Sequence, residues 1–241
     1  MAALTSNRKT HWPALVEAYL LTGIAAMLLS KILYRQLPLY IHPRYAPLVL
    51  ATAVVMLLIG AVKIWQVGDE PRAMGGRSGL YVLLLAPLLL GSVIPAKPAG
   101  SSLIDPKQLN NMGRGYLGKR TPITADTRQW TLFDWTVARF SLSAAETNQQ
   151  PVDVVGFVYR APDQPAGQFE LARYTLACCV ADRSAVSLPV RWNGAASLAN
   201  DQWVHVTGTI EARDGDGAAL LAITNAQVEP VAQPSEPYLY P

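Results

Sequence analysis

The chain has 241 residues, 51% of them hydrophobic and 15% charged, with a formal net charge of +3. A soluble domain carries roughly 25% charged residues, so this composition argues against a wholly soluble protein, and a basic excess confined to the flanks of apolar runs favours lipid headgroups over nucleic acid. The only two cysteines, Cys178 and Cys179, are adjacent, and a bridge between neighbours closes a strained ring, which excludes a disulfide-stapled scaffold.

Arg8 and Lys9 precede the first apolar run as they would in a signal peptide. The run continues to about Leu33 without a small-residue cleavage site, so it reads as a retained helix. Residues 13–33 are apolar apart from Glu17, Thr22, Ser30 and Lys31, which is enough for the roughly 20 residues of a crossing. Glu17 is either an interfacial residue or a carboxylate facing a partner helix. Residues 34–47, rich in Pro, Tyr and Arg, suit a connection at the headgroup level, and His42 there, like His11, reads as an interfacial donor before a metal ligand.

A second run covers 48–67, with Lys63 and Trp65 as snorkelling and belt residues. A polar loop over 68–78 leads to a shorter third run, 79–95, whose Pro87 and Gly91 predict a kinked helix. Three crossings would place the remainder of the chain opposite the N-terminus. Basic residues balance across the two faces, so the positive-inside rule leaves orientation open; Arg8 and Lys9 ahead of the first helix lean the C-terminal half to the extracytoplasmic side.

The expected organisation is a transmembrane domain of three helices over 1–96, a linker with a short amphipathic helix over 97–150, and a β domain with an extended tail over 151–241. Thr131 and Asp134 have the spacing of a capping box and predict a helix to about Ala145. Strands are predicted over 152–159, 168–179, 186–192, 203–212 and 220–228, with a helical turn in 194–200 and a hairpin through Asp214, Gly215, Asp216 and Gly217. Five strands with a small helix between the third and fourth is the order of an OB-fold barrel, and Gly156 and Gly208 inside strands suit its coiling. The fold class is therefore a membrane α-helical N-terminal half plus an all-β, OB-fold-like barrel. The aromatics Phe157, Tyr159, Phe169, Tyr174, Trp192 and Trp203 have few basic neighbours, and no lysine follows Lys119, so no nucleic-acid partner is expected.

Chemistry concentrates at Cys178 and Cys179. Successive side chains on a strand face opposite ways, so either one cysteine alone meets a ligand or the chain is already bulged or turning there. The sharp reading is a soft-metal or redox-active thiol site with Asp182 and His205 as further ligands, zinc being one such ion. The bland one is a pair of small core residues. Adjacent cysteines lack the spacing of a structural zinc site, which favours a partial site that a partner completes or that hands over a thiophilic metal. Arg173 is expected to pair with Asp182 or Glu170. No hydrolase triad, Walker loop, HExxH or dinucleotide fingerprint is present, so enzymatic function is not expected.

Tyr40-Ile41-His42-Pro43-Arg44, Gly156-Phe157-Val158-Tyr159-Arg160, Ala172-Arg173-Tyr174, Cys178 to Asp182, Trp203 to Thr209 and Glu236-Pro237-Tyr238 together resemble the YcgQ-like family of uncharacterised bacterial membrane proteins. The resemblance covers nearly the whole chain. It implies an accessory subunit of a membrane permease complex, handling a metal ion or other small solute through its β domain and partnered by the bilayer and a multi-helix permease protein. Two other roles remain beside it: a membrane-tethered thiol or soft-metal-binding module, and a membrane-anchored OB-fold binding protein for another ligand.

Overall fold

The computed structural model describes residues 12–65, 78–110, 126–161 and 164–241. Arg8, Lys9, His11, the loop residues 68–77 and linker residues 111–125 lie outside them. The chain divides into two compact units, Met1–Lys97 and Pro98–Pro241.

The first unit contains helices α1 (Trp12–Leu33), α2 (Ala46–Trp65) and α3 (Ser78–Val93). Among the described residues two spans, Leu15–Leu33 and Pro43–Trp65, are long and apolar enough to cross a membrane, whereas the 16 residues of α3 fall short of that length. It runs as one α-helix through Pro87 and Gly91. Small residues let the backbones approach. A Cβ on Gly60 would lie 2.7 Å from Thr22 of α1, and one on Gly91 would lie 2.8 Å from the Met27 sulfur.

Glu17 of α1 meets Lys63 of α2 in an ion pair at 2.5 Å, so the carboxylate faces a neighbouring helix of its own chain. The hydroxyls of Thr22 and Ser30 bond back to the carbonyls of Ala18 and Met27, which satisfies them within an apolar helix. Between α1 and α2 the chain makes two 3-10 turns, Leu37–Leu39 and Pro43–Tyr45. His42 caps the second, its Nδ1 accepting from the Arg44 amide at 3.0 Å.

The second unit is a closed five-stranded barrel, OB-fold-like, built from β1 (Pro151–Tyr159), β2 (Gln168–Thr175), β3 (Ser184–Arg191), β4 (Trp203–Arg213) and β5 (Leu220–Pro230). Neighbours run β1-β4-β5-β3-β2, and β1 pairs with β2 to close the ring. All pairs are antiparallel except β3 with β5, which touch in parallel at Val190 and Ile223. A sixth strand, β6 (Tyr238–Leu239), adds in parallel to the end of β2.

Residues at alternate strand positions fill the interior: Val152, Val154, Phe169, Leu171, Leu188, Val190, Val206 and Ile223 are all buried. Helix α4 (Leu132–Ser141) adds Leu132 and Trp135 to this core, and its start is fixed by reciprocal bonds between Thr131 and Asp134. It ends four residues before the expected Ala145, because Ser143 and Glu146 form a second capping box and open a separate turn, α5 (Ala144–Thr147). Around Gly208 the β4–β5 register shifts, and a Cβ there would lie 2.6 Å from the Thr224 carbonyl.

A second apolar cluster joins Ala99 and Ile104 to Phe157, Tyr159, Tyr174, Leu176, Trp203 and Tyr238. The Ala99 amide donates to the Tyr238 hydroxyl, and the Tyr174 hydroxyl donates to the Gly100 carbonyl. The first residues of this unit and its C-terminal tail are thus tied to the same face of the barrel. Further along, Asn110 has a left-handed φ of 63°. It accepts the Ser187 amide at 2.7 Å on its side-chain oxygen.

Candidate functional site

Strand β2 does not extend to Cys179. It ends at Thr175, and Leu176 is the last buried residue before the chain turns outward. Thr175 and Ser184 face each other at the base of the β2–β3 connection, so the cysteines belong to a short loop with both ends anchored in the barrel. Within it Val180–Asp182 forms one 3-10 turn, closed by the Asp182 amide donating to the Cys179 carbonyl at 3.0 Å.

The Asp182 carboxylate organises this loop. It accepts the amide of Ala177 on Oδ1 at 3.1 Å, and the amides of Cys178 and Cys179 on Oδ2 at 2.7 and 3.2 Å. Three consecutive N–H groups facing one carboxylate form an anion-accepting concavity, here filled by the protein's own side chain. Cys178 is exposed and Cys179 half-buried, both as free thiols. The donor atoms of Cys178, Cys179 and Asp182 all lie within 4.8 Å of one another.

Electrostatics keep Cys178 protonated at neutral pH. Its hydrogen bond to Asp182, then that to Cys179, partial desolvation and the nearby negative charge push its thiol up to about 11. For Asp182, desolvation opposes the charged form but is outweighed by the Cys178 thiol and the three amides, and its carboxyl lies below its ordinary value. Cys178 thus presents a protonated, exposed thiol beside the sulfur of Cys179, and a cation that binds it displaces its proton.

His205, expected as a further ligand, is elsewhere. It lies on β4 with its Nε2 2.6 Å from Asp153 Oδ1 of β1, and the structure brings together only Cys178, Cys179 and Asp182 of the four anticipated residues. Arg173 pairs with neither Asp182 nor Glu170. Its guanidinium donates to the carbonyls of Glu236 and Pro237 at 2.6 and 3.2 Å, clamping the tail against β2. Glu170 instead accepts the Ser187 hydroxyl at 2.7 Å; burial pushes its carboxyl up, against the Ser187 bond and the charge of Arg139. Sequence reasoning missed Arg183, which donates to the Val180 carbonyl at 3.0 Å and lies 6.0 Å from the Tyr174 ring centre, steadying the far side of the loop. No local pattern marks it out.

Two family models match the chain in order: the DUF1980 N-terminal domain over residues 16–110 and the DUF1980 C-terminal domain over 138–241. The chain belongs to the DUF1980 family. The DUF1980 N-terminal domain takes in most of the helical unit and the segment through Asn110, and the DUF1980 C-terminal domain holds the barrel, the cysteine loop and the tail. No curated protein and no solved structure matches the chain.

Proposed function

We propose that this DUF1980 protein is a membrane-anchored module that holds a thiophilic metal ion at the Cys178–Cys179 loop and serves as the accessory subunit of a permease. The observation that carries the reading is the convergence of two thiols and a carboxylate within 4.8 Å on an exposed loop with anchored ends. Soft ions prefer such sulfur donors. A surface site that leaves its ion open to incoming ligands can pass it to a second protein, which suits a subunit better than a storage protein.

The permease role rests on the YcgQ-like resemblance and on the helices. Their exposed large side chains are apolar or aromatic, including Leu48, Leu58, Leu83 and Leu89, and Glu17 and Lys63 are paired with each other. Such helices provide packing surface for lipid or another membrane protein and no polar lining for a pathway of their own. We place three helices in the bilayer and the barrel on the extracytoplasmic side.

The test is metal analysis and thiol labelling on the full-length protein in detergent. One equivalent of bound thiophilic ion, native labelling of at least one cysteine, and loss of binding in Cys178→Ser and Cys179→Ser are expected. Two thiols that react only after denaturation, with no stoichiometric metal, would overturn the reading.

A further inference from the structure

The loop offers two kinds of donor, and its hydrogen bonds separate them. Two of the three amides on Asp182 fall on Oδ2, filling both of its lone pairs, and the third falls on Oδ1. The positive ends of three N–H dipoles therefore converge on the carboxylate, a field that a cation approaching it would have to oppose. Drawing Asp182 onto a metal would also loosen the bonds that set the positions of both cysteines. Against those three amides the sulfurs hold one, the Asp182 N–H donated to Cys179 Sγ, and the Cys178 thiol bonds to the Asp182 side chain instead of the backbone. The chain has no third cysteine, and among the described residues no imidazole joins the two sulfurs: His205, the one histidine of this unit, pairs with Asp153.

Resting on the metal-binding reading above, we propose that the loop takes a monovalent closed-shell ion of the copper(I) class between the two sulfurs alone, with Asp182 as a positioning residue and not a ligand. Donor count separates the alternatives. Zinc takes four protein ligands in structural sites and three plus water in catalytic ones, whereas two thiolates complete the shell of a linear monovalent ion and match it in softness. Two metal–sulfur bonds of about 2.3 Å laid end to end reach about 4.6 Å. The 4.8 Å within which all three donor atoms lie is an upper bound on the sulfur–sulfur distance and is of the same size. On binding, both thiol protons leave to solvent and no electron is transferred, so the step needs no oxidant or reductant.

The experiment uses the reduced full-length protein in detergent, titrated with copper(I) against a competing chelator and separately with zinc(II), with X-ray absorption at the metal edge. The expected result is one equivalent of copper(I) in a shell of two sulfurs without oxygen or nitrogen. Asp182→Asn keeps a carbonyl oxygen in the loop and should retain that shell, with affinity weakened by less than about tenfold. Either single Cys→Ser change should abolish stoichiometric copper(I) while the melting temperature of the barrel is kept. A zinc site with oxygen in its shell, lost in Asp182→Asn, together with no stoichiometric copper(I), would overturn this inference and leave the soft-metal reading standing. No stoichiometric binding of either ion would overturn both.

Discussion

Asp182 shapes the loop and sets the protonation of Cys178 through the same carboxylate, so one substitution should reveal both effects. In Asp182→Asn the carboxylate whose hydrogen bond, and then its charge, holds the proton on Cys178 is gone, and the pH midpoint for alkylation of Cys178, expected near 11 in the native protein, should move down toward an ordinary thiol. Peptide-resolved alkylation across pH reads this directly; an unchanged midpoint would remove Asp182 as its cause. Stability should respond at both ends of the scale. The folded state keeps the Cys178 proton that the unfolded chain releases near pH 8.5, so stability declines from there toward about 11. Asp182 works in the other direction: its contribution is complete above the ordinary carboxylate range and is lost as pH falls through its lowered folded value. The pairing of Cys178, Cys179 and Asp182 was legible because the residues are neighbours in sequence. His205 was not, since its partner Asp153 is 52 positions away and meets it only through the β1–β4 register.

At the scale of elements, the barrel and α4 are locked where Gly156 lets them close. A Cβ there would lie 2.8 Å from the Ala172 carbonyl, 3.0 Å from Leu171 and 3.1 Å from Leu132. The first neighbour is backbone and cannot swing aside. Gly156→Ala should therefore cost about 1–3 kcal/mol, seen as a lower melting temperature, while Thr131→Ala at the α4 cap should cost about 1 kcal/mol. A Gly156→Ala variant as stable as the parent would show that this seam is loosely packed. The long strands were legible because alternation over eight or more residues is a strong signal. Strand β6 has two residues and depends on Arg173 reaching three tail carbonyls, so no local pattern announces it. The same long-range cause hid the burial of Phe157, Tyr174 and Trp203, which pack on one another beneath Ala99 and Tyr238 instead of lining an open face.

For the whole molecule, the open quantity is the number of crossings, since it decides whether the barrel shares a compartment with the N-terminus. Helix α3 spans about 24 Å at 1.5 Å per residue, some 6 Å less than a hydrocarbon core of about 30 Å. Shortfalls of this size are met by local thinning of the bilayer at fractions of a kcal/mol per Å. Leaving α3 in water is far more costly, because Leu83, Leu89, Leu90 and Val93 are all exposed on it, and fully burying one such side chain is worth about 1.5–3 kcal/mol. It also packs on α1, a spanning candidate, with Gly91 against Met27 and Leu88 against Gly23. These terms favour a third crossing despite the length. Reporter fusions after Gly75 and after Gly100 should then lie on opposite faces of the membrane, the second outside the cytoplasm. Reporters on the same face would reduce the anchor to the two long helices and return the barrel, with its cysteine loop, to the side of the N-terminus.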